Sequence, residues 1–289
     1  MGVYSNIQIK KAIKEGHIVF HPYVEEHIAG SSIDVTLGEW FYRTERPSEG
    51  GFYNPFDEEA VQKYFGGGPY KAEIHQEWAE KHGRRLFKNI PPEQPIIVLR
   101  PGERILAHTH EFIGIKAPGT STMQARSTWG RNGVSACLDA GWGDPGYINR
   151  WTMEIYNMNQ HESVVLPVGE RIAQLVFYET GPVDMEYKNL SGKYQEADSE
   201  HLDSIIASWS PEQMLPRAFK DKRRVPEPVG PTKQDSRLSS QSFSAGTAPA
   251  SVDVPARSSP SPEAVPPQKS SAHKGENPTE EGPNGLKAL

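Results

Sequence analysis

The chain of 289 residues contains a single cysteine, Cys137. One thiol excludes an internal disulfide and any centre built on several thiolates, and it fits a reducing compartment. No apolar run approaches the roughly 18 residues that a membrane-spanning helix needs. The opening residues lack the pattern of a secretory leader, and Asn6 breaks the myristoylation pattern that Gly2 begins. Positive charge is also short: 31 Lys and Arg stand against 37 Asp and Glu, a formal net charge of −6. A basic face for nucleic acid or anionic lipid is therefore not expected, and a soluble cytoplasmic protein is. An anionic ligand would have to be met by arginines and lysines gathered locally.

What is present is a succession of short runs rich in Ile, Val, Phe, Tyr and Thr, broken by Gly and Pro. They fall at residues 18–20, 33–37, 96–99, 105–107, 164–167 and 174–178. Many short strands with frequent turn signals predict a mostly β protein, a barrel or sandwich. Before them, Ser5-Asn6-Ile7-Gln8 reads as a capping box, with Ile9, Ala12 and Ile13 at helical spacing and Gly16 as the stop. Residues 47–95 carry glycine-rich loops and two short helical patterns, near 58–65 and 72–82. This stretch reads as an excursion from the barrel and not as a second domain. The expected organisation is a barrel domain over residues 1–203, a C-terminal helical arm over 204–223 and a disordered tail over 224–289. The tail is rich in Pro, Ser, Ala and Gly, and Phe243 is its only aromatic residue, so it has too little apolar surface to offset the entropy of ordering.

Chemistry concentrates in residues 126–154. Arg126-Ser127-Thr128-Trp129-Gly130-Arg131-Asn132-Gly133 is followed by Ala140-Gly141-Trp142-Gly143-Asp144-Pro145-Gly146-Tyr147, and then by Trp151-Thr152-Met153-Glu154. Guanidinium forks and small hydroxyls suit phosphate oxygens. Strand alternation puts Trp151, Met153 and Ile155 on one face and Thr152, Glu154 and Tyr156 on the other. A carboxylate placed there suits proton exchange with a water. Each piece also has a plain structural use: a solvated turn for Arg126 to Thr128, an exposed strand residue for Glu154, a turn residue for Asp144. Together they predict chemistry on a nucleotide.

These motifs, with Ser32-Ile33-Asp34-Val35-Thr36-Leu37-Gly38 before them and Gly169-Glu170-Arg171-Ile172-Ala173-Gln174-Leu175 after, resemble the dCTP deaminases of the dUTPase-like superfamily. The resemblance covers most of residues 1–195 in motif order and content. It implies a dUTPase-like distorted β-barrel, a homotrimer with sites at subunit interfaces, and dCTP and dUTP as the small-molecule partners. It implies that Glu154, Ser127 and Arg131 are catalytic, with Glu154 as the general base against C4 of cytosine, kept ionised by a nearby arginine. It further implies that Arg126, Thr128, Ala140, Asp144, Thr152, Gln174, Tyr187, Lys193 and Gln195 bind substrate. By the same resemblance, Asp144 meets the deoxyribose, and the segment with Tyr187, Lys193, Tyr194 and Gln195 closes over the triphosphate. Asn149 replaces the glycine that ends the related dUTPase motif.

No protein-bound metal is expected. The zinc deaminases need His-x-Glu followed by Pro-Cys-x-x-Cys; His75-Gln76-Glu77 matches the first half, and the second is missing. Mg²⁺ is expected only as the counter-ion of the substrate triphosphate, and zinc not at all. Three functions compete: deamination of dCTP to dUTP and ammonia, which leads; a bifunctional reaction that continues to dUMP and pyrophosphate; and a nucleotide-binding regulator without turnover.

Overall fold

The computed structural model describes residues 2–44, 51–138, 140–187, 193–195 and 201–221, all within a unit of residues 1–224. The tail expected over 224–289 lies outside the described residues. Helix α1 (Asn6–Lys14) starts as its capping box predicts. The Ser5 hydroxyl accepts from the Gln8 amide at 3.4 Å, and the Gln8 side chain accepts from the Ser5 amide at 2.9 Å. Strands β1 (Ile18–His21), β2 (Ile28–Ala29) and the long β3 (Ser32–Arg43) follow. The excursion supplies α2 (Glu58–Tyr64), the two-residue strands β4 (Tyr70–Lys71) and β5 (Glu73–Ile74), and α3 (His75–Lys81). Next come β6 (Pro95–Leu99), the long β7 (Arg104–Ile115), β8 (Gly119–Ala125) and the short helix α4 (Ser127–Arg131). The chain continues through β9 (Val134–Ser135), β10 (Trp142–Gly143), β11 (Ile148–Asn157), β12 (Val164–Pro167) and β13 (Arg171–Glu179) to helix α5 (Leu202–Ser208).

The strands pair antiparallel in two sheets. The larger runs β10-β8-β13-β3-β7-β11-β9, with β1 added to β7 and β2 and β4 added to β3; the smaller is β12-β6-β5. β3 joins the two halves of the larger sheet. Its first half, Ile33 to Thr36, pairs with β13, and its second half, Leu37 to Arg43, pairs with β7. The register shifts between Leu37 and Phe41, and again between Arg150 and Thr152 on β11 and between Arg171 and Ala173 on β13. Such irregularities bend and coil strands. The result is a curled half-barrel, mostly β as the sequence predicts, whose hydrogen-bonded path ends at β10 and β9 without closing among the described residues. Gly38 sits in the β3 irregularity, where a Cβ would stand 2.0 Å from the His108 ring; only glycine lets the imidazole lie there.

Inside the curl, Ile33, Val35, Ile105, Ile113, Met153, Ile155, Leu175 and Phe177 are fully buried. Along β11 burial alternates as the sequence predicts: Trp151, Met153 and Ile155 are buried and Thr152, Glu154 and Tyr156 half-buried. The C-terminal segment departs from the single helix expected over 204–219. It forms α5 and two 3-10 turns, Pro211–Met214 and Ala218–Lys220. Pro211 and Pro216 lack the amide donors that a continuous helix would use. The segment packs on its own chain. Ile205 meets Phe112 and Ile148, while Met214 and Leu215 join Tyr42, Leu106, Val61 and Phe65 in a second apolar cluster. Among the described residues no helix is long and apolar enough to cross a membrane.

Candidate active site

Because β11 pairs with β7, Glu154 stands opposite Leu106 and Tyr156 opposite Arg104. This wall borders a cavity of about 540 Å³ that is also lined by Ala140, Asp144, Thr152, Tyr187 and Tyr194. The Oε2 atom of Glu154 is buried and has no hydrogen-bond partner among the described residues. Burial pushes the Glu154 carboxyl above the usual glutamate range, against smaller opposing effects of its own backbone amide and of Arg104. The arginine beside Glu154 in this chain is Arg104, and its attraction is weaker than the desolvation.

The loop bearing Ala140 and Asp144 is held by close contacts. A Cβ on Gly143 would stand 2.3 Å from the Trp151 ring, and the Gly143 carbonyl accepts from the Thr120 hydroxyl at 2.7 Å. The Trp151 indole is fixed in turn by donating to the Ile113 carbonyl at 2.9 Å. Asp144 therefore projects from a rigid platform, with one carboxylate oxygen accepting from Trp142 Nε1 at 3.2 Å. Trp142 itself is 63% exposed. Tyr147 stands edge-on to both Trp151 and Tyr187, and the Tyr187 amide donates to the Pro145 carbonyl at 2.8 Å.

The segment expected to close over a triphosphate divides. Tyr187 and Tyr194 face the cavity, but Lys193 and Gln195 do not line it. Lys193 pairs with Asp221 at 2.5 Å, and the Gln195 side chain accepts from the Ile148 amide at 3.0 Å. Asn149 ties the strap down: its amide nitrogen donates to the Tyr194 carbonyl and to the Gln213 side chain, each at 3.1 Å.

The remaining predicted residues lie elsewhere. Arg126, Ser127, Thr128, Arg131 and Gln174 do not line the cavity. Instead of a turn, Ser127 to Arg131 form α4, with Ser127, Thr128 and Arg131 exposed. Arg126 and Arg171 flank the Asp34 carboxylate at 3.6 and 3.2 Å. Gln174 pairs with Asp34 on one side and Gln124 on the other. Arg131 borders a separate open groove with Trp129, Asn132, Asn159 and Glu162. Helix α4 leads into β9, which pairs with the C-terminal end of β11 at Tyr156 and Asn157, and there Arg131 opens onto the groove of Asn132 and Asn159 and not onto the cavity of Glu154. One chain thus divides the predicted catalytic set, with Glu154 in the cavity and Ser127 and Arg131 outside it.

Two buried histidines, His75 and His108, have structural partners. The His75 ring faces the Pro91 carbonyl at 3.2 Å and accepts from the Phe87 amide at 2.9 Å. The His108 ring faces the Thr109 carbonyl at 2.8 Å and accepts from the Trp40 amide at 3.2 Å. Sequence reasoning missed Arg104, Tyr53, Pro55, Met214 and Pro216 as cavity residues. The β7–β11 register would have pointed to Arg104, but a single sequence does not carry it. For Tyr53, Pro55, Met214 and Pro216 no local motif gives a signal.

Comparison with known proteins adds to this geometry. The model of a family described as dCTP deaminase-like matches residues 3–180. A Methanopyrus kandleri protein named "dCTP deaminase, dUMP-forming" is 33% identical over 202 residues, covering 67% of this chain and 91% of its own. A Methanobrevibacter smithii protein of the same name is 30% identical over 189 residues, covering 65% of this chain and 86% of its own. Among solved structures, the 2'-deoxycytidine 5'-triphosphate deaminase from Agrobacterium tumefaciens overlays with a TM-score of 0.41 at 15% identity. That overlay covers 61% of this chain and 48%, about half, of the other.

Proposed function

The chain belongs to the dCTP deaminase-like family, and from that premise we propose that it converts dCTP to dUMP, ammonia and pyrophosphate in one site. The observation that carries the proposal is the Glu154 carboxylate, held in a cavity with one buried oxygen unpartnered and with Ala140, Asp144 and Thr152 beside it. In the first reaction Glu154 takes a proton from water as the water oxygen bonds to C4 of cytosine. The proton passes to N3, and a second transfer to the exocyclic nitrogen lets the C4–N bond break, releasing ammonia and leaving the C4 carbonyl of dUTP. A positioned acid–base group contributes about 10²–10⁴-fold to such a step. In the second reaction a water attacks the α-phosphorus, and pyrophosphate leaves. Asp144, oriented by Trp142, is the residue we assign to position that water.

The dUMP product is favoured over a reaction stopping at dUTP because the relatives at 33% and 30% identity both carry the dUMP-forming name. The leading product expected from the sequence alone, dUTP, thus gives way to the bifunctional alternative. Ser127 and Arg131 are assigned to the site of an adjacent copy, where Ser127, Thr128, Arg126 and Gln174 present donors to the phosphates. Arg131 there stabilises charge developing at the reacting centre, a role in which one donor is worth about 2.7–4 kcal/mol. Mg²⁺ enters with the triphosphate as part of the substrate.

Separating the nucleotides formed from dCTP and Mg²⁺ tests the proposal. Accumulating dUMP and pyrophosphate with little free dUTP is the expected result; stoichiometric dUTP restores the monofunctional reading. A parallel incubation with a zinc-selective chelator and excess Mg²⁺ is expected to keep full activity. Loss of activity there, with recovery on stoichiometric zinc, would remove Glu154 from its role as unaided base.

A further inference from the structure

Among the described residues, four buried side-chain polar atoms have no hydrogen-bond partner: His27 Nδ1, the Tyr53 hydroxyl, Glu154 Oε2 and Thr180 Oγ1. Two of the four residues, Tyr53 and Glu154, line the same cavity. They reach it from unrelated parts of the fold, Glu154 from β11 and Tyr53 from the excursion outside the half-barrel. A buried hydroxyl without a partner is destabilising, and in a native protein its persistence calls for a reason. Packing supplies the means. The Tyr53 ring stacks on Tyr64 of α2, with centroids 4.2 Å apart and planes 21° from parallel. Tyr53 and Tyr64 in turn lie against the apolar cluster of Val61, Phe65, Leu106 and Met214. The ring is therefore fixed while its hydroxyl is left for something else to meet.

Tyr53, Glu154 and Arg104 line the cavity together, and Arg104 favours the ionised form of both the Tyr53 hydroxyl and the Glu154 carboxyl. Pro55, Phe65, Leu106, Met214 and Pro216 add apolar lining, and Phe65, Leu106 and Met214 belong to the cluster against which Tyr53 packs. Those apolar walls with one cation suit the flat face of a base better than a chain of phosphates, which needs several positive donors. Resting on the activity proposed above, we infer that Tyr53 is a substrate-contacting residue whose hydroxyl meets the C4 edge of the pyrimidine in both its cytosine and its uracil form. The chemistry of a two-step reaction favours such a group. Cytosine presents an amine donor at C4 and an acceptor at N3, and uracil presents an acceptor at C4 and a donor at N3. A phenolic hydroxyl both donates and accepts and turns about its C–O bond. One tyrosine thus serves the substrate of each step, where a guanidinium or a fixed amide would match only one.

Tyr53→Phe keeps the stacked ring and removes only the hydroxyl. The expected result is a rise of about tenfold in KM for dCTP and for dUTP, with kcat within about threefold, the pattern of a lost contact made equally in ground and transition states. The melting temperature of the unliganded variant is expected to equal or exceed that of the wild type, because an unpartnered polar atom has gone. Unchanged KM values overturn the inference. So does a melting temperature several degrees lower with kcat and KM both impaired, which would make Tyr53 structural. A rise in KM for one nucleotide alone overturns the dual contact. If the wild type turns over neither nucleotide, the activity proposed above fails separately. Calorimetric titration of dCTP and dUTP into both proteins then judges Tyr53: weaker binding by the variant, about tenfold, supports the contact, and equal affinity overturns it.

Discussion

Glu154 combines two properties that usually conflict, burial and a duty to ionise. Its folded-state carboxyl is pushed up by desolvation, so the folded chain holds that proton to higher pH than the unfolded chain does. The stability this group contributes is present at low pH and is lost as pH rises through its folded value. Glu154→Gln is therefore expected to raise the melting temperature at neutral pH, with the difference from wild type shrinking in acid. The same substitution is expected to lower deamination turnover by at least about a hundredfold while dCTP binding persists, since the amide keeps the shape but takes no proton. Thermal melts across pH and single-turnover kinetics check the two halves. A well-folded variant with near-normal turnover would end the assignment of Glu154 as base. For the wild type, the acid limb of the rate profile is expected above the ordinary glutamate range.

Strands β3 and β7 are pinned to each other by His108, which bridges the irregular stretch around Gly38. Its ring accepts from the Trp40 amide and faces the Thr109 carbonyl, a pairing that the neutral imidazole satisfies. Burial brings its pKa down to about 3. The unfolded chain therefore binds this proton first as pH falls, and stability drains between about 6.5 and the folded value, at about 1.4 kcal/mol per pH unit. Melting temperatures at pH 7.5 and 5 are expected to differ more in the wild type than in His108→Asn; equal differences would show that His108 does not set the acid sensitivity. The excursion and the C-terminal segment depend on each other in a similar way. Met214 is 4% exposed and packs with Val61, Phe65 and Leu106. Met214→Ala is expected to cost about 2–5 kcal/mol in chemical denaturation and to loosen one side of the cavity. A cost near zero would mean that the segment is only laid against the barrel.

For the molecule as a whole, the separation of Glu154 from Ser127 and Arg131 motivates assembly, and we predict a homotrimer with each complete site shared between copies. Sedimentation at assay concentration measures the state directly; an active monomer rules it out. Complementation adds a sharper test. Glu154→Gln and Arg131→Met are each expected to be inactive, and co-assembled subunits are expected to regain about a quarter of wild-type activity, the statistical share for randomly mixed interfaces. Activity no greater than the sum of the two variants would place the whole site within one copy.

The capping box at Ser5, the alternation of Trp151 to Tyr156 and the mostly β character were legible because each is written in local spacing: a cap lies within four residues, and a strand face repeats every second one. The residue types for nucleotide chemistry, Glu154 and Asp144 among them, stood in a motif that one sequence displays in full. Nothing local says which of them meet. The pairing of β11 with β7 brings Arg104 to Glu154's wall, α4 turns Arg131 toward a separate groove beside Asn159, and the excursion and the final turns return Tyr53 and Met214 to the cavity. Burial, too, belongs to the folded chain, so the upward shift of the Glu154 carboxyl was not to be read from the arginines near it in sequence. Spacing along a chain encodes faces and caps, whereas distances between remote residues and the solvent they exclude arise only when the strands pair.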